Sequence, residues 1–253
     1  MTIQEVYSYN LDESFRLMSR LVDKYPLLGV DTEFPGYFED VDQLTGRTNQ
    51  RHLPRQLTRY GKFKINIDNL KLIQLGISLS DSYGNQPNPS TFQFNFQYDK
   101  LNDIGQESSI QLLERHEVPF DRLLQEGISP IKFSYHFMSS GLLFNNKIKW
   151  IYFHGFCDLG YLLKSATLTA LPCSFSEFSI LAETLFPHYF DLKLVEKWES
   201  SLQTLASYYG VCREGIQHQA GSDALVTIGI WTKSQKLKPL LEFDRKVYGL
   251  EDE

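Results

Sequence analysis

In the stretch Leu27–Gly36 (Leu-Leu-Gly-Val-Asp-Thr-Glu-Phe-Pro-Gly), two carboxylates, Asp31 and Glu33, stand two residues apart at the end of a mostly apolar run. Residues two apart in a strand share a face, so both acids project from one side. Buried together they repel and resist leaving water, which asks for a cation between them. A divalent metal ion held by oxygen ligands would meet that need. Two solvated acids on an edge strand fit the same letters. Pro35-Gly36 ends the strand and lets backbone approach a ligand closely. Phe34, on that turn, is placed either to stack against a base, as aromatics do with single strands, or to fill core.

Three further groups have the right types for the same chemistry. Lys149–Phe153 reads as a short buried strand running into His154-Gly155-Phe156-Cys157-Asp158, with Asp158 in the first turn of the next helix. The helix dipole favours a negative charge there, and a plain capping acid is the simpler reading. Near the other end, Gln217-His218-Gln219-Ala220-Gly221-Ser222-Asp223 opens a final apolar helix through Trp231. His218 and Asp223 lie five apart, about 140° around a helix, and cannot both point one way from it. Asp223 on the helix and His218 on the loop before it would let both lean over one cleft. Arg47, Arg51, Arg55, Arg59, Lys62 and Lys64 fill a stretch without acids. Phosphate contact or a solvated loop would each account for it.

The elements that must position these groups follow from hydrophobic period. Leu11, Phe15, Met18, Leu21 and Val22 have helical spacing and lead into the strand Leu27–Glu33. The breaker-rich, polar segment from Gly36 to about Lys64 reads as loop. Leu70–Ser80 and Thr91–Phe96 read as strands, and 108–143 as largely helical. Phe175–Phe186, Leu192–Glu199 and Leu202–Tyr208 read as helices, the last with Leu202, Leu205 and Tyr208 inward, and Asp191 as a cap. The order predicts a mixed α/β sheet flanked by helices in one domain. Phe137 and Met138, beside a Ser-Ser-Gly break, mark either core or a corner where a partner docks.

Composition sets limits. The chain has 253 residues, 42% hydrophobic, enough for one substantial core. No apolar run reaches the length of a membrane span, and 1–10 is too polar for a signal peptide. Three cysteines without paired metal-ligand spacing fit a reduced, intracellular protein. A formal charge of −6 argues against adhesion to nucleic acid through a uniformly basic surface.

The order of Asp31, Glu33, Asp158, His218 and Asp223 resembles the histidine-containing branch of the DEDD exonuclease superfamily, and His218–Asp223 fits its His-x-Ala-x-x-Asp pattern. Residues 30–36, 72–76 (Leu-Ile-Gln-Leu-Gly), 92–96 (Phe-Gln-Phe-Asn-Phe), 153–164 and 218–225 are similar to the Pop/Caf-type deadenylases, poly(A)-shortening subunits of the Ccr–Not complex. The likeness covers roughly 1–250 as one nuclease domain and departs between Tyr37 and Lys64. It implies an RNase H-like fold and 3′-to-5′ hydrolysis of poly(A) to 5′-AMP. It also implies two divalent ions, Mg2+ first, with Mn2+ or Zn2+ as alternatives. Two metal ions can activate water and stabilise charge on the phosphate. By resemblance Asp31 bridges both ions, Glu33 and Asp223 complete the water-activating site, and Asp158 holds the second. His218 accepts the water's proton. The implied partners are single-stranded poly(A) RNA, a large Not-type scaffold and a Ccr-type nuclease, in the cytoplasm and also the nucleus. A same-fold nuclease on other RNA or DNA 3′ ends, or a noncatalytic bridging module, are the alternatives.

Overall fold

The computed structural model describes residues 2–45, 57–197, 199–234 and 241–249. The chain opens with strand β1 (Ile3–Val6), helix α1 (Leu11–Leu21) and strand β2 (Leu27–Glu33). Short α2 (Asp42–Thr45) and α3 (Arg59–Asn69) precede the strands β3 (Gln74–Ser80) and β4 (Thr91–Asn95). Then come α4 (Glu107–Arg115), α5 (Phe120–Glu126) and α6 (Pro130–Ser139), followed by β5 (Lys149–Tyr152) and α7 (Phe156–Thr167). The last part holds α8 (Phe175–Leu185), β6 (Tyr189–Asp191), α9 (Leu192–Val195), α10 (Leu202–Tyr208) and α11 (Ala220–Ser234).

Among the described residues six strands make one mixed sheet in the order β1-β4-β3-β2-β5-β6. β2 lies inside it, antiparallel to β3 and parallel to β5, with Asp31 opposite Gly76 and Glu33 opposite Gln74. The edge-strand alternative for the two acids is thereby removed. One sheet face carries the main core, where Phe15, Met18, Phe63, Phe133, Leu162 and Phe178 join strand residues such as Leu28 and Phe94. The other face packs on α10 and α11 through Leu205, Leu225, Ile228 and Trp231. Helices on both faces of one sheet make a single three-layer domain.

Two glycines let α11 lie unusually close. A Cβ at Gly76 would stand 2.0 Å from the Ala220 carbonyl oxygen, and one at Gly29 would stand 2.6 Å from that of Ala224. Only residues without a side chain admit this approach. It brings the first turn of α11, with Asp223, against the strand pair that carries Asp31 and Glu33.

Several expectations need correction. Arg59, Lys62 and Lys64 lie on helix α3, not on a loop: Thr58 caps it by accepting from Gly61 N at 3.0 Å, and the helix starts beyond Pro54. Arg47, Arg51 and Arg55 lie outside the described residues. Strands β1 and β6 are additional; four and three residues are too few for a period to declare itself. Helix α9 stops at Val195, and Tyr208 faces solvent while Leu205 faces inward. Among the described residues no helix is long and apolar enough to cross a membrane.

Candidate active site

The end of β2 supplies two of the acids. Asp31 and Glu33 are half-buried at neighbouring positions of the same face. Asp158 is buried in the first turn of α7 and accepts a hydrogen bond from Thr32 Oγ1 at 2.7 Å. Asp223 is buried in the first turn of α11. His218 lies on the preceding loop with φ +58, a left-handed conformation that costs most non-glycine residues energy. Its backbone N–H donates to Asp223 Oδ2 at 3.2 Å. One side-chain atom each from Glu33, His218 and Asp223 falls within 4.8 Å of the others, a spacing a single cation can span.

Electrostatics bind the remaining acids to this group. Burial, then repulsion from Asp223, Asp158 and Glu33, holds the Asp31 carboxyl well above the usual carboxylate range. Burial and the charges of Asp223 and Asp158 do the same to Glu33. Burial lifts Asp158 to about 7 against the opposing hydrogen bond from Thr32. A cluster of carboxylates that resist ionising together is what a cation site looks like before the cation arrives. Burial lowers His218, which keeps the imidazole neutral and able to accept a proton. The donor set, carboxylate oxygens with one imidazole at its edge, fits hard divalent ions.

Of the other sequence-predicted residues, Phe34 is half-buried and packs its ring 5.1 Å from that of Tyr161 against the main core. The structure separates Phe137 and Met138. Phe137 is fully buried among Phe15, Phe133 and Trp150 and cannot meet a partner, whereas Met138 is 43% exposed. Successive helical residues diverge by about 100°, so the pair had to split.

Residues 6–136 match the CAF1 family ribonuclease pattern. The poly(A) ribonuclease pop2 of Schizosaccharomyces pombe is 36% identical over 234 residues, covering 90% of this chain and 68% of that protein. The chain belongs to the CAF1 ribonuclease family. Among solved structures, S. pombe Pop2p in its Mg2+ and Mn2+ bound form superposes with a TM-score of 0.89 at 33% identity, covering 99% of this chain and all of that one (100%). A structure of the yeast NOT1 MIF4G domain co-crystallized with CAF1 matches with a TM-score of 0.82 at 28% identity, covering 98% and 96%.

The CAF1-family site of this chain also contains residues that composition and spacing did not single out. Gln74 and Gln93 are buried polar residues on the inner strands β3 and β4. Their Oε1 atoms accept from Ala220 N (3.4 Å) and Gly221 N (2.7 Å), satisfying the free N–H groups at the start of α11. Arg213 forms an ion pair with Asp223 Oδ1 and donates to Ser222 Oγ and Gln203 Oε1, both at 2.9 Å, fixing one edge of the Asp223 carboxylate. His116, at the end of α4, donates through Nδ1 to the Leu112 carbonyl at 2.8 Å. It sets its ring edge-on to His218 at 4.6 Å. Gln219 Nε2 ties the two loops together by donating to the His116 carbonyl at 2.9 Å.

Proposed function

We propose that this CAF1-family ribonuclease shortens poly(A) tails of mRNA from the 3′ end, releasing 5′-AMP, as a subunit of a Ccr–Not-type assembly. The observation that carries the reading is the convergence of Asp31, Glu33, Asp158, Asp223 and His218 at one end of the sheet. Asp31 would be shared by two divalent ions, Mg2+ first and Mn2+ or Zn2+ as alternatives. Glu33 and Asp223 would hold one ion and Asp158 the other. Such ions supply a nucleophilic water near neutral pH and offset charge on the reacting phosphate.

The protein's own groups do the rest. His218, neutral and braced by His116, takes the proton of the attacking water. Arg213 on Oδ1 and the His218 N–H on Oδ2 fix the orientation of the Asp223 carboxylate. Thr32 orients Asp158. Phe34 offers a ring face to the terminal base beside Glu33.

Assembly has its own surface. On α6, Ile131 and Tyr135 are each 72% exposed, and with Met138 they stand four and three residues apart on one helix face. A Not-type scaffold is the partner we assign to that stripe, with a Ccr-type nuclease joining through the assembly in the cytoplasm and the nucleus.

The test is a time course on 5′-labelled RNA ending in adenosines, beside uridine and cytidine tails and the matching DNA, with metal and with chelator. A one-nucleotide ladder from the adenosine tail alone, abolished by chelator, is the expected result. Equal trimming of every tail would overturn poly(A) selectivity, and no cleavage in any metal would leave a bridging module.

A further inference from the structure

The described part of the basic stretch, Arg59, Lys62 and Lys64, holds both paired and unpaired charge among the described residues. Lys62 pairs with Glu39 at 3.2 Å and Lys64 with Asp68 at 2.5 Å. Arg59 is exposed and has no acidic partner among the described residues. Its guanidinium lies at Gly249, where a Cβ would meet Arg59 Nη2 at 3.0 Å and Phe156 at 3.6 Å. Lys193, likewise without an acidic partner among the described residues, sits over the Tyr248 ring at 4.8 Å. Between the two cations lies exposed His154, its ring 5.1 Å from Tyr248 and 5.4 Å from Phe156.

This surface is held in place from beneath. Buried Asp191 accepts backbone N–H groups from His154, Gly155 and Lys193 at 2.9 Å and from Tyr248 at 3.0 Å. Four hydrogen bonds to one carboxylate knit three distant segments into a single patch. Burial, then the neighbouring positive charges of Lys193 and Arg59, lowers His154 to about 4. The patch also adjoins the catalytic acids, because His154 and Phe156 stand four and two residues before Asp158 and the charge of Asp191 acts on Asp158.

The geometry points to a second nucleic-acid subsite, in which Arg59 and Lys193 hold backbone phosphates of nucleotides on the 5′ side of the scissile bond, with His154 and Tyr248 beneath their bases. Cations tracking the backbone with rings for the bases are how single strands are held without sequence readout. The subsite rests on the reading of the chain as a 3′-end ribonuclease. It explains how an acidic protein grips a polyanion: charge is concentrated where the strand leaves the cleft.

The experiment compares wild type with Arg59→Ala/Lys193→Ala and with Arg59→Glu. Anisotropy of fluorescein-labelled oligoadenylate in Ca2+ gives affinity against salt, and cleavage in Mg2+ of the same oligomer and of the dinucleotide ApA gives kcat and KM. Expected for the double variant are oligomer affinity weaker on the order of tenfold and a salt slope shallower by about 1.4, two contacts at about 0.7 each. The oligomer's advantage over ApA in kcat/KM should shrink through KM. Unchanged affinity, slope and oligomer-to-dinucleotide ratio in variants of wild-type Tm would overturn the subsite and leave the patch to an acidic protein surface. Failure of wild type to cleave either RNA would instead overturn the nuclease reading on which it rests.

Discussion

At the scale of single residues, the site stores repulsion. Asp31, Glu33 and Asp158 all bind their protons more tightly in the folded chain than in an unfolded one. A carboxyl whose folded pKa is raised contributes stability below its unfolded pKa and loses it as pH rises through the folded value. Metal-free protein should therefore lose Tm between about pH 4, the ordinary carboxylate value, and about 7, where Asp158 ionises. Saturating Mn2+ should restore the loss, and Asp31→Asn/Glu33→Gln should flatten it. A flat metal-free Tm across that window in wild type would contradict the stored repulsion. Asp31 and Glu33 were legible from their spacing on one strand, and His218 with Asp223 from their pattern at a helix start, whereas Asp158, alone a plain capping acid, joined the set only through the family resemblance. Arg213 and His116 were not legible. Arg213 differs from any surface arginine only by the fold that turns it onto Asp223, and His116 meets His218 across about a hundred residues of chain.

At the scale of elements, the site depends on how near α11 comes to β2 and β3. Gly76→Ala would drive a methyl group into the Ala220 carbonyl. Overpacking of this kind costs roughly 1–3 kcal/mol, a Tm loss of several degrees in a domain of this size. The larger effect should be on function, since α11 moves with Asp223 and the His218 loop: Mn2+ affinity should fall with activity. Full metal affinity in Gly76→Ala would show that the close approach does not set the site. The strands β2 to β5 and most helices could be read from period and breakers. The glutamine supports could not, because Gln74 and Gln93 look like ordinary solvent-facing strand positions until α11 is laid over them.

At the scale of the whole molecule, the proposed nuclease site and the proposed docking stripe lie on different elements. The acids gather where β2 ends and α7 and α11 begin, while the Ile131–Tyr135–Met138 stripe lies along α6, which packs on the main-core face of the sheet. Met138→Arg should abolish co-purification with a Not-type scaffold and leave oligoadenylate cleavage intact; retained co-purification would remove the stripe as the docking face. The sequence placed a docking corner near this position but paired Met138 with a core residue, since exposure on a helix is decided by the neighbour it packs on. The central claim is that the separated acids act as one metal-dependent nuclease site. Calorimetric titration of Mn2+ into wild type and Asp31→Asn, each paired with a time course on adenosine-tailed RNA, tests it most directly. Loss of the binding heat and of the one-nucleotide ladder together, in a variant that keeps its fold, is the predicted result. A variant that still cuts the tail with wild-type metal affinity would contradict the account.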